Sequence, residues 1–347
     1  MKKLSFILAL TFAGGFAMAQ NTAMVTELGN NNTGYVNQLG ASNSATIDQI
    51  GNLNNASTSD AYQSTLFGSL TDTKGITQVG DDNSGSIIQH NPYVGTSYAG
   101  PIAGLNQTGN SNTAIISQTH NTAWDQEYAW AKQSGDGNMS TQNQDYTFAF
   151  QSHIWQQGSA LANPGDLLST VGNIAETDQE GGYAQNASIW QVGVRNNALT
   201  FQGNAAYGYT SSNLAETTQK GNDNVSTQYQ YGSSNTAKTQ QLTNSNLSNL
   251  IQNGNGNKAT VMQKGGDGNI SKLTQSAGAV ADIYQEGIDN TLQGITGTNS
   301  MAFSLDGSSI TLNQTGNLNV LSLDQSAGAI ATVTQTGNNN ASTVIQH

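Results

Sequence analysis

A seven-residue frame recurs through this chain: asparagine, a small residue, an apolar residue and glutamine, each two positions apart. Asn257-Lys-Ala259-Thr-Val261-Met-Gln263 carries it whole. Spacing by two puts those four side chains on one face of a β-strand. The frame returns at Asn43/Ala45/Ile47/Gln49, Asn83/Gly85/Ile87/Gln89, Asn112/Ala114/Ile116/Gln118 and Asn246/Ser248/Leu250/Gln252. It returns again at Asn269/Ser271/Leu273/Gln275 and Asn340/Ser342/Val344/Gln346. Looser copies run from Asn173 to Gln179, Asn196 to Gln202, Asn213 to Gln219, Asn224 to Gln230 and Asn235 to Gln241. From Gln219 to Gln263 the glutamines fall at 219, 230, 241, 252 and 263. A fixed period of this kind outweighs every local feature in deciding a fold.

Two positions after many of these glutamines comes glycine: Gly40, Gly51, Gly80, Gly109, Gly193, Gly221, Gly232, Gly254, Gly316 and Gly337. Glycine takes positive φ without a steric penalty, so the stretch before each asparagine reads as a tight turn. Each unit is then one strand of about seven residues and one turn. Two units make a strand–turn–strand coil that cannot bury its inner face alone. Stacked at about 4.8 Å, such coils form an all-β solenoid of two parallel sheets.

A glutamine where an oily residue belongs has a physical reason in this arrangement. In a stack, equivalent residues lie above one another, so each amide donates to one neighbour and accepts from the other. A buried amide left unpaired would cost roughly 1–3 kcal/mol. The expected inward ladder comprises Gln38, Gln49, Gln78, Gln89, Gln107, Gln118, Gln133, Gln144, Gln179, Gln191 and Gln202. It continues through Gln219, Gln230, Gln241, Gln252, Gln263, Gln275, Gln285, Gln314, Gln325, Gln335 and Gln346. The matching asparagines are Asn43, Asn83, Asn112, Asn196, Asn224, Asn235, Asn246, Asn257, Asn269 and Asn340. A narrow stripe of Ile, Val, Leu and Ala is expected between the two. Gln185 stands where the motif has asparagine, so it is expected to matter less than Gln252.

Composition agrees with a repetitive interior. Of 347 residues only 35% are hydrophobic and 9% charged, and three are proline, which fits neither an oily core nor a charged disordered chain. Lys2 and Lys3, the apolar run "LSFILALTFAGGFA" and Ala17-Met18-Ala19 read as a secretory signal peptide over residues 1–19. That run falls short of the roughly 20 apolar residues of a membrane span. Loss of the two leader lysines takes the net charge from −12 to −14, which disfavours nucleic acid as a partner. With no cysteine there is no disulfide framework.

Residues 20–347 read as one solenoid with loops where the tiling slips, near 90–106, 157–172 and 203–213. The stretch 123–155 is the most aromatic. There Ala129, Ala131 and Gln133 are expected to face in, with Tyr128 and Trp130 out on the surface. Asp48, Asp178 and Asp282 are expected to face outward as gatekeepers against uncontrolled association. No catalytic constellation stands out: His90, His120, His153 and His347 are scattered without metal or triad spacing. "GNGNKA" from Gly254 is followed by strand-period residues and not by the helix a dinucleotide fingerprint needs. No enzyme activity, metal or cofactor is expected.

The unit Gln107-Thr-Gly109-Asn-Ser-Asn112-Thr-Ala114-Ile-Ile-Ser-Gln118 resembles the curlin repeat of bacterial curli fibres, and the resemblance covers nearly the whole chain after residue 19. It implies a secreted subunit of functional amyloid, a homopolymer on the cell surface serving biofilm matrix and adhesion. It also implies two further partners, a related nucleator subunit and an outer-membrane secretion channel. The pattern begins already at Glu27-Leu-Gly29-Asn-Asn-Asn32, without the unpatterned leading segment of the curli major subunit. No capping element is read at either end of the repeat array, so both end coils are expected to template strand addition. The competing readings are a non-polymerising secreted β-solenoid adhesin or ice-binding protein, and a carbohydrate-active β-helix enzyme. Regular outward Thr ranks would mark ice binding, and acids clustered on adjacent coils would mark the enzyme.

Overall fold

In the computed structural model the repeat frame becomes strand after strand, joined by turns built around positive-φ glycine. The structure describes residues 20–29, 32–51, 54–56, 62–64, 68–70, 75–91, 101–119, 128–148, 151–158, 172–203, 212–296 and 300–346. The expected signal peptide and residues 92–100, 159–171 and 204–211 of the expected loops lie outside them. The chain forms two compact units. The first holds residues up to Asn173 with Gln179–Gly181; the second holds Ile174–Asp178 and Gly182–His347.

The first unit is a β-solenoid. One parallel sheet orders Thr22–Leu28, Ser44–Gly51, Ser84–Asn91, Thr113–Thr119 and Met139–Phe148. The facing sheet runs from Thr33–Gly34 and Val36–Leu39 through Asn55–Ala56 and Gly75–Val79 to Ile102–Thr108, Tyr128–Ser134 and Gln151–Gln157. Register follows the frame: Ile47 lies opposite Ile87 and Gln49 opposite Gln89. One feature escaped the sequence reading. The second-sheet strand of one coil is split between Ala56 and Gly75, and the excursion carries an antiparallel pair, Tyr62–Ser64 with Gly68–Leu70.

The second unit repeats the plan. One sheet stacks Asn197–Gly203, Val225–Tyr231, Leu247–Asn253, Ile270–Gln275, a split strand (Thr291–Gln293 and Ala302–Ser304), Val320–Gln325 and Ala341–Gln346. The other stacks Asn186–Val192, Leu214–Lys220, Thr236–Gln241, Lys258–Lys264, Val280–Glu286, Ser309–Thr315 and Ile330–Thr336.

Three expectations need correction. The loop placed at 90–106 is too wide at both ends. His90 and Asn91 belong to the strand Ser84–Asn91, and Ile102–Thr108 is a strand that buries Ile102, Ala103 and Leu105. Proline and glycine there mark the strand's approach, since Pro101 precedes its first residue. Second, Trp130 faces outward by alternation yet is buried. Its register neighbour is Gly104, and a Cβ on that glycine would lie 2.1 Å from the indole, so the ring occupies the space a side chain would take. His153 follows in the same rank, and burial pushes its pKa down to about 3. Third, the apolar stripe is interrupted. Ile47, Ile76, Ile87, Leu105 and Ile116 anchor one cluster, and Leu250, Val261, Leu273, Ile283 and Leu312 another. At the same inward place stand buried Gln142, Thr200, Thr217, Gln228 and Thr239. There, Gln228 Nε2 donates to Thr239 Oγ1 at 2.9 Å.

The turn glycines are constrained twice. Gly232 has φ +102°, and a Cβ on it would sit 2.3 Å from the Gly254 carbonyl oxygen of the next coil. The same approach recurs from Gly80 to Gly109, from Gly193 to Gly221 and from Gly316 to Gly337. Gly328, at φ +72°, would meet nothing within 4 Å. Gly328→Ala should therefore cost only backbone strain, about 1 kcal/mol, and Gly232→Ala at least about 2 kcal/mol more. Chemical-denaturation midpoints of the two variants check this; equal midpoints would contradict it.

Candidate functional site: amide ladders and the coil edges

The inward glutamines form directed chains. In the first unit Gln38 Nε2 donates to Gln78 Oε1, Gln78 to Gln107 and Gln107 to Gln133, each at 2.8 Å, and Gln133 donates to Gln156 at 2.9 Å. A second chain runs Gln49, Gln89, Gln118, Gln144 and Gln179, at 2.8–3.0 Å. In the second unit one chain joins Gln191, Gln219, Gln241, Gln263, Gln285, Gln314 and Gln335. Another joins Gln202, Gln230, Gln252 and Gln275, and Gln325 donates to Gln346. In every link the lower-numbered coil donates.

Each amide has a second proton, which ties the two sheets together. Gln252 Nε2 also donates to the Thr236 carbonyl at 2.9 Å, and Gln241 Nε2 to that of Val225 at 3.0 Å. Glutamine thus does the work of an apolar core residue by bridging sheets as well as coils. All the glutamines expected in the ladder are buried except Gln38 and Gln346, which are half-buried on the end coils.

Asparagine forms the opposite chain. The backbone N–H and Nδ2 of Asn83 both donate to Asn43 Oδ1 at 3.0 Å. Asn112 does the same to Asn83, Asn224 to Asn196, Asn246 to Asn224, Asn269 to Asn246 and Asn257 to Asn235. Here the higher-numbered coil donates. Nδ2 then reaches the turn carbonyl of the following coil: Asn43 to Gly80, Asn83 to Gly109, Asn235 to Gly254 and Asn269 to Gly287. The turn glycines and asparagine ladder are one device.

Several ladder members were not foreseen. Gln156 carries the chain on from Gln133, and Asn138, Asn290 and Asn319 continue the asparagine column. A third ladder runs along the turns, where the residue after the turn glycine, or after Thr243 in one coil, caps the coil before it. Asp81 Oδ1 accepts from the Ala41 N–H, Asn110 from Asp81, Asp136 from Asn110, Asn244 from Asn222 and Asp267 from Asn244. The signal was present as repeated Gly-Asn and Gly-Asp pairs. Gln185, expected to matter less than Gln252, is fully buried at the asparagine position.

Where the column is broken, atoms go unpaired. Ser304 occupies a ladder place between Gln275 and Gln325, and the buried Oε1 of Gln325 has no partner. Glu27 occupies the place before Gln49, and the buried Gln49 Oε1 is likewise unpaired.

Outward residues pair along ranks as well. Asp48 meets His90 at 3.3 Å, Arg195 meets Asp223, and Lys238 meets Glu216 at 2.8 Å. Asp282 is exposed and Asp178 half-buried. Lys132 lies over Trp155 and Lys220 over Trp190, at 5.5 and 5.0 Å from the ring centroids. Among the described residues no group of three His, Asp or Glu could hold a metal, and no helix is long and apolar enough to cross a membrane. No protein-family model matches the chain, and no curated protein matches it.

Replacing Gln252 by alanine would leave one Gln230 amide proton and Gln275 Oε1 unpaired and open a cavity, a loss of about 2–4 kcal/mol. Gln240→Ala, on the exposed face of the adjacent sheet, should cost under about 0.5 kcal/mol. Urea midpoints followed by circular dichroism separate the two, and a Gln252→Ala midpoint matching that of Gln240→Ala would refute the ladder's energetic role.

Proposed function

We propose that this chain is a structural subunit of extracellular, curli-like amyloid fibres, assembling with copies of itself by templated strand addition in a biofilm or adhesive matrix. One observation carries the reading: the ladders run out at the end coils with their hydrogen-bonding capacity incomplete. Gln346 Nε2 donates only to the Ile330 carbonyl, where inner ladder glutamines such as Gln252 reach both a carbonyl and the next glutamine. Gln38 Oε1 accepts no hydrogen bond. Among the described residues nothing lies over Ile330–Thr336, and Ile330 is 73% exposed. Unpaired strand edges of this kind recruit further strands.

The resemblance to the curlin repeat supports the same reading, since a buried Gln/Asn column that repeats within the chain repeats equally well between chains. Export and the partners implied by that family, a nucleator subunit and an outer-membrane secretion channel, belong to this proposal. So does the absence of enzymatic chemistry.

The mature chain, from Gln20 onward, should form unbranched fibres that bind an amyloid dye and diffract at about 4.7–4.8 Å and about 10 Å. A solution that stays monomeric and monodisperse for days, with or without preformed seeds, would overturn the reading in favour of a non-polymerising adhesin.

A further inference from the structure

We infer that the coil built from Thr22–Leu28 and Thr33–Leu39 docks onto the Ile330–Gln346 edge of a second copy, and that Glu27 makes this docking depend on its own protonation. The inference rests on the fibre reading above and specifies its junction.

The partner follows from complementary hydrogen-bonding groups. The two edges differ because every glutamine link donates toward higher residue numbers and every asparagine link donates toward lower ones. The Ile330–Gln346 edge therefore offers a spare amide proton on Gln346 and a spare Oδ1 on Asn340, which accepts nothing. The Thr22–Leu39 edge offers the spare Oε1 of Gln38. Like edges would set donor against donor or acceptor against acceptor, so only a head-to-tail joint completes the ladders. The register is also set. Strands alternate between sheets, and Ala341–Gln346 lies on Val320–Gln325, so the next vacant level is over Ile330–Thr336. Thr22–Leu28 of the incoming copy fills it, and Thr33–Leu39 then covers Ala341–Gln346. This sets Gln346 against Gln38 of the incoming copy and Gln335 against its Glu27.

That last pair is the exception in the ladder. Glu27 is in register with Gln49, at the place where other strands carry glutamine. Its carboxyl oxygen lies 3.5 Å from where a Cβ on Gly34 would be, over the inward face of the coil. It makes no hydrogen bond or ion pair, and Gln49 Oε1 beneath it is buried and unpaired. As carboxylate, Glu27 faces Gln49 acceptor to acceptor. As carboxylic acid, it donates its proton to Gln49 Oε1 and accepts from Gln335 of the second copy, as a glutamine would. In the free chain Glu27 is exposed. Docking buries it, and a buried carboxylate with no cation is costly.

Among the described residues that would face it, no cation compensates. On the flanking strand the charged group is Asp48, which faces outward beside His90. Tyr35, between the facing strands, is exposed. Ile330–Thr336 and Ala341–Gln346 hold no titratable side chain, and Asp324 on the strand beyond lies on the outward alternation. Protonation of Glu27 therefore favours docking, and elongation should rise as pH falls.

Seeded elongation of the mature chain, Glu27→Gln and Asp282→Asn at pH 7.5 and 5.5 tests this. Both variants remove one negative charge, and Asp282 is exposed on an outer face. Glu27→Gln completes the ladder and should elongate about tenfold faster than the wild type at pH 7.5, the equivalent of one repaired buried hydrogen bond. It should change little with pH, while the wild type and Asp282→Asn accelerate by about tenfold or more on acidification. His153 is common to all three proteins and cancels. If Glu27→Gln elongates like Asp282→Asn at pH 7.5, or all three share one pH response, the inference is wrong while the fibre reading stands. If none elongates at either pH, the fibre reading falls and takes the inference with it.

Discussion

A buried carboxamide must find two acceptors for its protons and donors for its oxygen, and in this molecule each glutamine finds them chiefly in translated copies of itself. From that constraint much of the rest follows. The sheets are parallel and in register because only then does Gln252 meet Gln230 on one side and Gln275 on the other. Most coils are alike in length because a one-residue slip would turn every amide to the opposite face. Large apolar side chains are dispensable at several inward places, as buried Thr200, Gln228 and Thr239 attest, since cohesion comes from hydrogen bonds between the sheets as much as from apolar contact.

The opposed directions of the two amide columns give the coil a chemical polarity that its shape alone would not. Glutamine donates one way, asparagine the other, and the turn Asn/Asp column accepts from the coil before it. A column of this sort tolerates few defects. Ser304 and Glu27 are two substitutions within it, and each leaves one buried oxygen unpaired, at Gln325 and Gln49. At Ser304 the defect is internal and coincides with a split strand. At Glu27 it sits on an outer coil, where the carboxyl side chain itself is exposed.

The solenoid and the ladder positions were legible because a period-two pattern nested in an eleven-residue period has few alternative foldings. Less was legible where the pattern was carried by neighbours in space. Trp130 is buried because Gly104 lies beside it in the next coil, which no reading of 128–133 alone reveals. Ile102 and Leu105 were assigned to a loop because proline and glycine flank them, yet their coil needed a strand there. The split strands at Ala56–Gly75 and Gln293–Ala302 preserve the register of the coils around them, so they look in sequence like longer intervals between glutamines. The turn ladder went unread because Gly-Asn and Gly-Asp are ordinary turn pairs, and only stacking turns their side chains into caps for a neighbouring coil.

Side-chain amide hydrogen exchange tests the central claim most directly. If stacked carboxamides are the interior, the Nε2 protons of Gln230, Gln241 and Gln252 exchange as slowly as the backbone amides of their own strands, while those of Gln240 exchange at the solvent rate. Fast exchange at all four, with the backbone still protected, would mean that the sheets are held by something else.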